Sequence, residues 1–91
     1  MKRLEIIHLR LAGPGPEGFA ERILKSVENH IGLESVRIYR SFPVDTDLSI
    51  HLHLDADPND PQATELGLRL AVALKEYGMV KHSVWREEAV E

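Results

Sequence analysis

Two histidines one residue apart, His51 and His53, are the side chains of this 91-residue chain whose spacing most invites chemistry. They lie in a stretch, residues 47–55, that alternates polar and apolar without a break. Leu48, Ile50, Leu52 and Leu54 share one side; Ser49, His51, His53 and Asp55 share the other. In a strand, successive side chains point to opposite faces, so both imidazoles leave the same face about 6.5–7 Å apart at Cα. If His8 on a neighbouring strand converged with His51 and His53, with Asp55 close by, the set would suit zinc, nickel or copper. A histidine in a small cavity with Arg10, Tyr39 and Trp85 would instead move protons near neutral pH, as a cofactor-independent oxygenase or an isomerase requires. The same residues also suit a subunit interface or open solvent, with no chemistry at all. The orientation of His8 relative to His51 and His53 separates these readings. No activated nucleophile is recognisable.

The elements that position these residues follow from pattern. Residues 2–11 are rich in Leu and Ile and alternate over part of their length, which predicts a first strand. Ile7, Leu9 and Leu11 fall on one side; Leu4, Ile6, His8 and Arg10 fall on the other. The run Ala-Gly-Pro-Gly-Pro at 12–16 breaks the ladder, because proline lacks a donor. Residues 17–31 predict a helix with the stripe Phe19, Ala20, Ile23, Leu24, Val27 and Ile31, Pro16 in its first turn and Gly32 at its left-handed end. A second strand is predicted over 35–42 and a turn over 43–47, so the histidine strand returns beside it as a hairpin. After a loop at 56–60, Asp60 and Pro61 form a cap and first-turn pair for a second helix running to about Tyr77. Its stripe is Ala63, Leu66, Leu70, Ala73, Leu74 and Tyr77, and Gly78 ends it. Residues 79–87 alternate again as a fourth strand, with Val80, His82 and Val84 inward and Lys81, Ser83, Trp85 and Glu87 outward. The tail at 88–91 is expected to fray.

Composition bounds what such a chain can do. Residues 1–91 are short enough for one domain with one small core, and a second copy would bury further surface. There is no cysteine, which excludes disulfides, thiolate metal sites and cysteine nucleophiles. The basic start is interrupted by Glu5, His8 and Arg10, unlike a secretory leader, and no apolar run is long enough to span a membrane. A cytoplasmic protein is expected, with no membrane partner. The net charge of −4 becomes +1 with all five histidines charged, so it responds to mildly acidic pH. An acidic domain without a basic stripe is a poor nucleic-acid binder.

The order βαβ followed by βαβ predicts an α+β ferredoxin-like sandwich, βαββαβ, with a four-stranded antiparallel sheet in the order 4-1-3-2 and both helices on one face. The helix-free face then carries Ile6, His8, Arg10, Arg37, Tyr39, Ser41, Ser49, His51, His53, Asp55 and Trp85. Exposed together, Ile6, Tyr39 and Trp85 would form an apolar patch of the kind that marks an interaction site. This order and mixed polar–aromatic face resemble the dimeric α/β-barrel superfamily, which includes antibiotic-biosynthesis-type monooxygenases and stress-responsive barrel proteins. The resemblance is topological and covers nearly the whole chain. It implies two sheets packed as a homodimer, and a ligand cavity between sheet and helices or between subunits. No motif matches position by position, so it assigns no catalytic residue.

Other readings are weaker. His82 on an apolar face is expected to be a core residue with one hydrogen-bond partner. The glycine–proline loop before the first helix lacks the spacing and the lysine of a phosphate cradle. It has a glycine where ACT regulatory domains do, but not their usual acidic start. RNA-recognition modules share the topology but need stacked aromatics on the central strands, where this chain has histidines and Ile6. No cofactor is implied. The expectation is a homodimer through the helix-free face that binds a small molecule there. Its candidate residues are His8, Arg10, Tyr39, His51, His53 and Trp85, and the metal set is His8, His51 and His53. The alternatives are a monooxygenase- or isomerase-type enzyme and a metal- or amino-acid-sensing regulatory module.

Overall fold

A computed structural model describes residues 2–55, 57 and 62–88. The elements run β1 (Arg3–Leu11), α1 (Phe19–Val27), β2 (Leu33–Arg40), β3 (Asp47–Leu54), α2 (Glu65–Leu74) and β4 (Gly78–Arg86). The four strands form one sheet in the order β2-β3-β1-β4, with every neighbour antiparallel. This is the ferredoxin-like α+β arrangement expected from the pattern.

The core lies between the sheet and the helices. Ile7, Leu9 and Leu11 of β1 meet Leu48, Ile50, Leu52 and Leu54 of β3, and Phe19, Ile23, Val27, Leu66, Leu70, Ala71 and Leu74 close it from above. Tyr77 joins it with its ring 4.7 Å from that of Phe19. Val36, Ile38 and Val80 pack at the margins. The molecule is a slab 41 × 27 × 18 Å. Two layers account for its thin dimension, and no element of this chain among the described residues covers the other sheet face.

Both helices are shorter than their hydrophobic pattern. The first begins after Gly18, which caps it at φ 66° without a side-chain bond, and ends at Val27. Asn29, at φ 66°, is left-handed just past the helix end, and Gly32 is left-handed as expected, at φ 88°, three residues further on. The turn that follows is closed by His30 N–H to Val27 O and Leu33 N–H to His30 O. Ile31 therefore leaves the stripe and stands fully exposed. The second helix is capped by Thr64, whose hydroxyl accepts from Gly67 N–H at 3.1 Å. Asp60 and Pro61 lie outside the described residues. Within α2 the inward positions are Leu66, Gly67, Leu70, Ala71 and Leu74, while Ala73 faces out. Gly78 opens β4 rather than merely ending α2. It sits opposite Leu11, where a Cβ would meet Arg10 O at 1.9 Å, so only glycine allows that approach. β2 begins two residues earlier than its pattern suggested, with an irregularity at Leu33 and Ser35, and Ser41 and Phe42 fall in the hairpin tip.

Candidate functional site

Register turns the helix-free face into rows. Tyr39, Ser49, His8 and Lys81 form one; Arg37, His51, Ile6 and Ser83 the next; Ser35, His53, Leu4 and Trp85 the third. Above them, Asp47 pairs with Arg10, and Arg10 with Met79. All six candidates from the sequence, His8, Arg10, Tyr39, His51, His53 and Trp85, therefore stand on this one face. Lys81 and Ser83 complete it on β4.

The three histidines do not converge. His8 is opposite Ser49, His51 opposite Ile6 and His53 opposite Leu4. Each of the first two already has a partner. His8 Nε2 lies 3.2 Å from Asp47 Oδ2, and His51 Nε2 lies 2.9 Å from Ser49 Oγ. The Tyr39 ring meets His51 edge-on at 4.9 Å. Among the described residues no three His, Asp or Glu side chains gather closely enough to hold a metal ion. Strand register places the imidazoles of His8, His51 and His53, the candidate zinc, nickel or copper set, in successive rows of this face.

A different polar cluster takes its place. Arg10 donates to both oxygens of Asp47, Nε to Oδ1 at 2.8 Å and Nη2 to Oδ2 at 3.0 Å, while His8 approaches from the next row. Arg10's bidentate hydrogen bond holds the Asp47 carboxyl below the usual carboxylate range. Partial burial opposes this and His8 adds to it. The same bond makes Arg10 harder to deprotonate. His51 is pushed below the ordinary histidine value, chiefly by burial and then by His53. It is therefore a neutral imidazole at pH 7. Asp47 reads as a turn residue in sequence, yet it opens β3 and shares the odd-numbered parity of Ser49, His51 and His53.

Over β3, β1 and β4 the face dips into an open groove of about 600 Å³, its lining including Ile6, His8, Asp47, Ser49, Lys81, Ser83 and Trp85. A smaller extension of about 270 Å³ passes Arg10 and Met79. Trp85 is about half exposed, and its indole N–H donates to Ser83 Oγ at 2.9 Å. Tyr39 is half exposed too, and Met79 more so.

His82 lies on the covered side as expected, and its partner is a residue the pattern did not single out. Glu5, fully buried, places Oε1 2.7 Å from His82 Nε2. Its Oε2 accepts from Thr64 N–H at 2.9 Å and from Thr64 Oγ1 at 2.6 Å. Arg3, also buried, donates to the carbonyls of Asp57 and Gln62. The signal for Glu5 was available: an acid on the same parity as Ile7, Leu9 and Leu11 needs buried partners.

Comparison with known proteins adds the fold and no more. No family model matches the chain, and no curated protein matches it. Among solved structures, Rv0793 from Mycobacterium tuberculosis matches over 99% of this chain and 98% of its own, with TM-score 0.65 and 12% identity. An antibiotic biosynthesis monooxygenase-like protein from Bordetella bronchiseptica matches over 98% of both chains, with TM-score 0.60 and 14% identity. The fold therefore matches these two structures over essentially the full length of the chain. No helix among the described residues is long and apolar enough to cross a membrane.

Proposed function

We propose that the protein is a small-molecule-binding homodimer, joined through its helix-free sheet faces, with the ligand held in the groove over β3, β1 and β4. The observation that carries this reading is the composition of that groove. It joins exposed apolar surface from Ile6 and Trp85 to polar groups from His8, Ser49, Lys81 and Ser83, within a volume typical of ligand sites. The case for a second copy is physical. Tyr39, Met79 and Trp85 all add apolar surface to the uncovered face. A two-fold copy laid over it would shield that surface and close the open groove into a chamber.

A second reading makes the chamber catalytic. His8, held by Asp47, would be its proton-transfer group, in keeping with the monooxygenase-like description of the Bordetella protein. Likeness of fold does not transfer chemistry, so binding remains the primary reading.

Light scattering at micromolar concentration should give twice the 10.3 kDa chain mass. Tyr39→Ala or Trp85→Ala should lower that mass and the stability together. A monomeric wild type would refute the dimer.

A further inference from the structure

We infer that the groove takes a flat aromatic carboxylic acid, with its rings against Ile6 and Trp85 and its carboxylate at Lys81 beside His8. The inference rests on the ligand-binding reading above and names the class of ligand.

The charge distribution along the groove is uneven. Asp47 is the carboxylate that lines it, and Arg10 and His8 already engage both its oxygens. Lys81 lines the groove in register with His8, and no carboxylate among the described residues pairs with it. The groove thus presents an uncompensated ammonium although the chain as a whole is acidic. At the other end of the sheet the balance reverses. Lys2 is bound by Glu34, with Asp55 and Glu87 close enough to act on its charge. An anionic head is therefore favoured at the Lys81 end and repelled from the far end, which gives the ligand one orientation.

The apolar half fits the rest of such a molecule. Trp85 and Lys81 lie four residues apart on β4, roughly 13 Å between Cα atoms. The indole leans back over Ser83, spending its one donor there, so what remains for a ligand is ring surface. Ile6 lies across from Ser83 and supplies an apolar floor at mid-span. A two-ring acid reaches from this floor to the ammonium. Ser49 and Ser83 add hydroxyls along the way.

The test uses two probes of one shape, 2-naphthoate and 2-naphthylmethanol, titrated into the intact protein. The readout is the single indole N–H resonance, since Trp85 is the only tryptophan. Naphthoate should shift this signal saturably, and the alcohol should bind at least tenfold more weakly. Lys81→Gln, at an exposed position, should weaken naphthoate at least tenfold and leave the alcohol unchanged. Equal binding of both probes, indifferent to Lys81→Gln, would overturn the carboxylate assignment and leave the binding site standing. No shift from either probe would overturn both.

Discussion

On the covered side of β1, Glu5 is enclosed by His82, Thr64 and the backbone of α2; on the open side, two turns of the pleat away, Asp47 meets Arg10 and His8. Each cluster joins a carboxyl group to a histidine, and each spans adjacent strands. Their surroundings set them apart. Glu5 is fully buried and every one of its contacts is internal, so it fastens the start of α2 to the sheet. Arg10 and His8 remain substantially exposed on the rim of a groove. A closed cluster stabilises and is hidden from ligands. An open one adds little stability and can meet a ligand.

Removing each carboxyl should expose this difference. Glu5→Ala leaves His82 and the capping Thr64 without their buried partner and should cost about 3 kcal/mol or more. Asp47→Ala leaves Arg10 and His8 in contact with water and should cost clearly less. Urea denaturation of the two variants beside the wild type decides the matter. Equal losses would erase the distinction between a structural and a surface cluster.

Gly67 sharpens the same point. A Cβ there would lie 2.0 Å from Glu5 Oε1. That oxygen belongs to a side chain already fixed by Thr64 and His82, so it cannot simply swing aside. Glycine to alanine within an exposed helix normally gains about 1 kcal/mol. Here Gly67→Ala should instead lose roughly 1–3 kcal/mol through overpacking. In the Glu5→Ala background the loss should largely vanish, and a double-mutant cycle measures that coupling. Additive losses would mean that the clash lies elsewhere.

The strands were legible because alternation of Leu and Ile with polar residues reports one buried face directly, and strand order followed from the symmetry of the two βαβ halves. The facing of β4 was ambiguous in sequence, because it has no Leu or Ile and its inward parity holds His82 between Val80 and Val84; pairing with β1 fixes it. Helix ends were not legible either. Asn29 sets one through left-handed backbone and Thr64 the other through its hydroxyl cap, while the apolar pattern ran on past both. The six site candidates reached the right face because parity alone places them there. Their partners did not follow from parity, because pairing depends on register between strands. Register set Asp47 opposite Arg10 and sent His8, His51 and His53 into separate rows. Glu5 interrupts the apolar run in sequence, yet it shares the parity of Ile7, Leu9 and Leu11, so its burial demands partners that lie far along the chain.

The smallest effect concerns His51, which lies between the two extremes: on the open face, but partly buried beneath Tyr39 and bonded to Ser49. Its folded-state pKa is below the unfolded value of about 6.5. Between those two values the unfolded chain holds more protons, so stability rises with pH. His51's contribution is therefore complete above about pH 6.5 and is lost as pH falls through the folded pKa. Asp47 behaves in the same sense at lower pH, its contribution fading only below the ordinary carboxylate range. In denaturation midpoints taken from pH 7.5 down to pH 5, the wild type should lose more stability on acidification than His51→Gln. Asp47→Asn should remove the further loss of stability seen in stronger acid, where the Asp47 carboxyl takes up its proton. A His51→Gln profile parallel to the wild type would show that this imidazole is as free to take a proton in the folded sheet as in the unfolded chain. The open face would then be wetter at β3 than its packing against Tyr39 implies.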